Sequence, residues 1–125
     1  MHTASPTSVP ANITVAKNTT FSDAVMFDDP NDTSWDLNNK TFRMGLKGNY
    51  EQDNETLAFT SAAAEIVVYD AALRILGFNV PPVTMENALV PGCYFYDLIM
   101  TDTNTAVRTQ LMHGEFRYAD AVTEG

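Results

Sequence analysis

The feature that most limits the possible folds is a recurring alternation of apolar and polar residues in short runs. Ile13 and Val15 alternate with polar neighbours, and Phe21, Asp23, Val25 and Phe27 continue at period two after Asn18. Phe42, Met44 and Leu46 alternate with Thr41, Arg43 and Lys47, and Leu57 and Phe59 begin another run. Period two places one face of a strand in a core and the other in water, the pattern of antiparallel sheets. The clusters Asp28-Asp29-Pro30-Asn31-Asp32, Asn38-Asn39, Gly48-Asn49 and Pro91-Gly92 separate the runs. Proline lacks a donor, and Asn, Asp and Gly favour local turns, so each cluster stops a strand. Seven or eight short strands at this spacing predict an all-β, antiparallel β-sandwich.

The second half extends the pattern. Residues 93–101 are aromatic and apolar enough for a central strand, Asp102-Thr103-Asn104-Thr105 reads as a hairpin loop, and residues 107–118 return as the last strand. Gly114 within that strand is expected to mark a bulge or a close backbone approach. Residues 61–76 read two ways. Ile66, Tyr69, Leu73 and Leu76 have helical spacing, whereas Ile66, Val67, Val68 and Tyr69 are β-branched and aromatic, with Asp70-Ala71-Ala72 as a turn. Residues 83–89, after Pro81-Pro82, predict one short helical turn with Thr84 as its N-cap and Asn87 on its first turn.

A chain of 125 residues suits one domain. Residues 12–119 form the expected sandwich. Residues 1–11, rich in Ser, Thr and Pro, read as an extended arm that is mobile or pinned by a partner, and 120–125 as a C-terminal tail. The beginning of the chain lacks the basic and apolar regions of a secretory signal.

Sixteen acidic against seven basic residues give a formal charge of -9. Dense phosphate is bound by Lys and Arg, so direct nucleic-acid binding is disfavoured, as is an anionic membrane surface. Apolar stretches such as 66–68 are too short to span a bilayer.

The chemistry-bearing residues are sparse. Cys93 is the single cysteine, so no intrachain disulfide forms, and with His2 and His113 it cannot supply a four-ligand zinc site. Cys93 reads as a small buried hydrophobe. His113 is the one serious candidate base, yet no nucleophile motif surrounds it, and the simpler reading is a partly packed strand histidine. Asp28, Asp29, Asp32 and Asp36 are crowded enough for a hard cation but lack calcium-loop spacing, and Glu51, Asp53 and Glu55 read as a wet loop. Five Asn-x-Ser/Thr matches, at Asn12, Asn18, Asn31, Asn39 and Asn54, are what chance gives in an Asn- and Thr-rich chain. No catalytic residue, cofactor or metal is expected. Trp35, Phe42, Tyr94, Phe95, Tyr96 and Phe116 read as core, with a carbohydrate-binding aromatic platform as the other reading. Tyr94 and Tyr96 share one strand face and Phe95 takes the other, so one face suits cover by a neighbouring subunit.

Gly92-Cys93-Tyr94-Phe95-Tyr96-Asp97-Leu98, the turn Thr101-Asp102-Thr103-Asn104, and Leu111-Met112-His113-Gly114-Glu115-Phe116 follow one another in order. This series resembles the ending of small immunoglobulin-like β-sandwich proteins of tailed bacteriophages. Lys17-Asn18-Thr19-Thr20-Phe21 and Trp35-Asp36-Leu37 followed by Thr41-Phe42-Arg43-Met44 resemble their first half. The likeness covers about residues 13–118. Asn18 stands where Gly is usual, Asn38-Asn39 replaces a Thr-Gly turn, and 62–64 has no counterpart. The resemblance is to the N-terminal domain of phage baseplate upper proteins and to small tail or neck proteins. It implies two strands rather than a helix within 61–76, and Trp35, Gly92, Tyr94, Tyr96, Asp97 and Gly114 as turn or core markers. It further implies a non-enzymatic virion protein, a homo-oligomer whose partners are other virion proteins, in the tail, neck or baseplate. Capsid decoration is the alternative placement within the same class.

Overall fold

The structure is a computed structural model, and it describes residues 9–27, 35–48 and 55–119. Among these lie nine strands and one short helix: β1 (Val9–Pro10), β2 (Ile13–Ala16), β3 (Phe21–Met26), β4 (Lys40–Lys47), β5 (Leu57–Thr60), β6 (Ile66–Asp70), β7 (Ile75–Val80), α1 (Pro82–Glu86), β8 (Gly92–Asp102) and β9 (Arg108–Ala119). They form two sheets that pack as a sandwich. The larger runs β1-β9-β8-β4-β5, with β2 also on β9, and the smaller runs β3-β7-β6. Because β1 and β2 lie end to end on β9, nine strands fill eight positions, as the alternation predicts.

The pairing is antiparallel throughout except at one edge, where β1 and β2 both run parallel to β9. Parallel neighbours need a long crossover between them. Here the rest of the domain supplies it, because β2 leads directly into β3 of the other sheet.

Alternation decides what is buried. Phe42, Met44 and Leu46 of β4, Tyr94, Tyr96, Leu98 and Met100 of β8, and Phe116 and Tyr118 of β9 all face inward. Phe21 stacks on Phe78 at 5.2 Å and meets Phe116 edge-on at 5.5 Å, while Phe59 lies 5.9 Å from Phe21 and 6.0 Å from Phe116. Phe21 and Phe78 belong to the small sheet, Phe59 and Phe116 to the large one, so this quartet joins the layers. Each buried ring contributes about 1.5–3 kcal/mol by leaving water.

Residues 61–76 form two strands, β6 and β7, joined by a tight turn at 71–74. Asp70 closes it by accepting the Leu73 N–H at 2.9 Å, and Arg74 adopts a φ of 61°, so the second strand begins at Ile75 rather than Leu73. Residues 62–64 occupy the β5–β6 turn, where Ala64 has a φ of 62°. Helix α1 begins one residue earlier than expected and ends at Glu86, with its N-cap three residues ahead of Thr84. Its N-cap is Pro81, Pro82 follows at the first helical position, and Thr84 caps nothing; Asn87 closes the C-terminal end. Proline's fixed φ suits that first position and sets the start.

Of the arm at 1–11, Val9–Pro10 forms β1 and Ala11 donates to the His113 carbonyl; 1–8 and the tail at 120–125 lie outside the described residues.

Candidate functional site

Among the described residues, the outward faces of β4, β8 and β9 bring titratable side chains together. Register places Asp97 of β8 directly between Gly45 of β4 and His113 of β9. Directly opposed residues have β-carbons about 4.5–5.5 Å apart, so Asp97 and His113 form a carboxylate–imidazole neighbour pair. Gly45 and Gly114 bring no side chains, which leaves a hollow of about 250 Å³ with Lys47, Phe95 and Gln110 at its sides. Glu55 lies over Gly45 and pairs with Arg43.

This hollow offers a carboxylate, an imidazole, an ammonium and a half-buried ring. It can hold a small polar group by hydrogen bonds, but its lining has no serine, threonine or cysteine to act as a nucleophile. Cys93 sits two strand positions beyond Phe95 on the same face. It is exposed rather than buried, because odd-numbered residues of β8 point outward. Desolvation pushes its thiol up from the ordinary value, and the hydrogen bond and charge of Glu115 push it further against the opposing pull of Arg117. A thiol held in its protonated form is a poor nucleophile.

A wider depression of about 560 Å³ at the other end of the sheet is bordered by Thr41, Arg43, Thr60 and Thr101. It presents hydroxyls and apolar surface but no acid–base pair. Among the described residues, no group of three or more His, Cys, Asp or Glu could hold a metal. Asp28, Asp29, Asp32, Glu51 and Asp53 lie outside those residues.

Of the six marker residues, Tyr96, Asp97 and Gly114 line the hollow, whereas Trp35, Gly92 and Tyr94 lie away from it. Trp35 is buried, with the Arg74 guanidinium 4.3 Å from its ring centroid and the Arg74 Nε donating to the Trp35 carbonyl at 2.9 Å. Tyr94 closes the approach to β8: its hydroxyl donates to the Val90 carbonyl at 2.7 Å and accepts the Val90 N–H at 3.1 Å. Tyr96 donates to the Ala11 carbonyl at 2.6 Å, and burial pushes its phenol up to about 12. Of the three that line the hollow, Asp97 brings the carboxylate. Gly114 marks a close backbone approach, since a β-carbon there would land on the Ala11 carbonyl oxygen, and its φ is 154°. Gly92 starts β8 in open space, where a β-carbon would meet only the Val90 carbonyl at 3.9 Å.

Sequence reasoning missed the Asp97–His113 pair for a definite reason. Counting back from the hairpin loop sets Asp97 against Met112. The ladder skips Leu111 between Leu98 and Ile99, and this bulge brings His113 opposite Asp97. The readable signal was Leu111-Met112, two adjacent apolar residues in an otherwise alternating strand, both buried.

The aromatic platform does not form. Trp35, Phe42, Tyr94, Tyr96 and Phe116 are all buried, leaving Phe95 alone on the outer face.

A different surface has the composition of an interface. Met26, Val67, Tyr69 and Leu73 are 57%, 40%, 59% and 59% exposed, and all lie on the small sheet or its turn. On the outward face Met26 opposes Ile75, and Val67 opposes Gly77, over which the Tyr69 ring is laid. No protein-family model matches the chain, and none of the curated proteins is significantly similar to it.

Proposed function

We propose that this chain is a non-enzymatic structural protein of a tailed-bacteriophage particle, an assembly or adaptor component of the tail, neck or baseplate present in several copies. The observation that carries the assembly reading is the apolar side of the small sheet formed by Met26, Val67, Tyr69 and Leu73. Exposed apolar side chains on one side of a sheet cost solubility unless a partner covers them. It stands on a chain whose formal charge of -9 otherwise keeps copies apart. The phage assignment rests on the ordered motifs from Lys17 to Phe116, and it narrows the kind of partner to other virion proteins.

The mechanism is passive. A rigid sandwich holds its apolar side in one orientation, and neighbours add to it without any covalent step. Immunogold labelling of purified particles of the source phage tests the reading. Gold at the tail, neck or baseplate is the expected result. Gold on the head would move the protein to capsid decoration, and no gold on particles whose epitope is accessible would overturn the virion assignment.

A further inference from the structure

We infer that the outer edge of β6 is where a second copy of this chain adds, antiparallel, about a two-fold axis through Val67. The inference rests on the assembly reading and names the partner at that surface.

The two sheets present four edges, and three are blunted. At β3, the Phe27 N–H bonds Arg74. Alternation then turns the Ala24 N–H away from β7, where the Asp23 carboxylate takes it at 2.8 Å. At β5, the outward N–H of Thr60 donates to the Glu65 carboxylate and the Thr60 carbonyl accepts the Glu65 N–H. At the edge on β9, Pro10 has no N–H to offer. Charges, prolines and local hydrogen bonds are how native sheets keep edges from pairing.

Edge β6 has none of these devices from Ile66 to Val68, and its one irregularity against β7 falls after Val68. The Glu65 carbonyl accepts the Asn79 N–H, so alternation turns Glu65 and Val67 toward β7 and points the backbone groups of Ile66 and Val68 outward. Among the described residues no strand takes them. Val67, Val68 and Tyr69 stand exposed beside them, with no charge between Glu65 and Asp70. An open apolar edge of this kind recruits a further strand.

The occupant follows from self-complementarity. The outward groups belong to residues two apart, so an antiparallel copy centred on Val67 pairs Ile66 with Val68 and Val68 with Ile66 in one closed, isologous contact. In that register Glu65 faces Tyr69 and Asp70 faces Ala64, so no like charges oppose one another. The two small sheets become one continuous sheet, and the apolar outer faces at Val67 and Tyr69 merge. Each copy carries -9, so the association strengthens as salt screens that repulsion, whereas a basic partner would bind more weakly in salt.

Sedimentation of the full chain at low and high sodium chloride reads the association directly. The expected result is a monomer–dimer equilibrium shifted toward dimer by salt, and loss of dimer in Val68→Lys with an unchanged circular-dichroism spectrum. Val68→Pro removes an outward donor without breaking a hydrogen bond to β7, and gives the same loss should the lysine variant unfold. In a Cys93→Ser background, Val67→Cys forms an intermolecular disulfide on oxidation and Ser22→Cys does not. A monomer at every salt concentration, a dimer that survives both Val68 variants, or binding only of a basic strand peptide that salt abolishes would each overturn the inference. None of these outcomes affects particle labelling, so failure here is distinct from failure of the assembly reading.

Discussion

The hydroxyl of Tyr96 donates a 2.6 Å hydrogen bond to the Ala11 carbonyl, tying the middle of β8 to the first described segment of the chain across β9. The bond is possible because Gly114 lies between them without a side chain. Ala11 also donates to the His113 carbonyl at 2.9 Å, and Asn12 Oδ1 accepts the Glu115 N–H at 3.1 Å. Gly114→Ala drives a β-carbon into backbone that cannot move without breaking these bonds. A loss of about 2–4 kcal/mol in urea unfolding is expected, from steric conflict and an unfavourable φ together. Gly92→Ala, at the other glycine of the hairpin, stays within about 0.5 kcal/mol because its β-carbon enters open space. Equal effects at the two positions would refute the close-approach account.

Tyr96 also gives the fold a pH dependence with a definite sign. Burial raises its phenol from 10.0 to about 12. Between those values the unfolded chain has lost the proton and the folded chain keeps it, so stability present below pH 10 falls as pH rises toward 12. Tyr96→Phe removes the group from the titration. It lowers stability at neutral pH by about 1 kcal/mol, the worth of a typical hydrogen bond, and its alkaline decline is shallower than the parent's. Parallel curves for the two proteins above pH 10 would show that Tyr96 ionises equally in both states.

The arm has an internal boundary that truncation can locate. Val9 and Pro10 pair with Met112 and His113, and Ala11 carries the bonds just described. Deleting residues 1–8 leaves every one of these contacts and is expected to leave the unfolding midpoint unchanged. Deleting 1–11 strips the partner from Tyr96 and opens the β9 edge, so the midpoint falls. If particle incorporation depends on an arm reaching a neighbour, the shorter deletion lowers incorporation without loss of stability. Normal incorporation after that deletion would remove any role for the arm in assembly.

Much of the fold was legible because period-two alternation is set by burial, which sequence shows directly. Phe42, Met44 and Leu46 read inward and are buried, and Tyr94 and Tyr96 share the core face. Two of the turns also have a physical reading: Asn18 and Asn39 adopt φ of 69° and 57°, conformations asparagine tolerates better than most residues. What sequence could not show was register and edge. Asp97 meets His113 only through the bulge at Leu111, the parallel placement of β2 on β9 depends on the global path, and Cys93, which reads as a buried hydrophobe, lies on the outward face of β8. The open side of β6 was hidden for a related reason. Ile66, Val67, Val68 and Tyr69 look the same in a central strand as at an edge, and only topology tells the two apart.

Arg74 and Trp35 provide a last test, of how a cation is held inside this sandwich. Arg74 is 7% exposed, in a left-handed backbone conformation, with its guanidinium over the Trp35 ring and its Nε bonded to the Trp35 carbonyl. Removing the side chain leaves that carbonyl without this donor and the ring without its cover. Arg74→Ala is therefore expected to cost about 2–4 kcal/mol, combining a desolvated cation–π contact with a charge-assisted hydrogen bond. Trp35 is the single tryptophan, so the same variant should shift emission to longer wavelength as water reaches the ring. Arg74→Lys keeps the charge but not the planar fork, and its loss should fall between parent and alanine variant. Arg74→Gly separates the backbone contribution: it relieves the unfavourable φ while deleting the same contacts, so it should be less damaging than alanine by about 1 kcal/mol. Alanine and glycine variants within about 0.5 kcal/mol of the parent, with unshifted emission, would mean the buried cation contributes nothing to holding Trp35 in place.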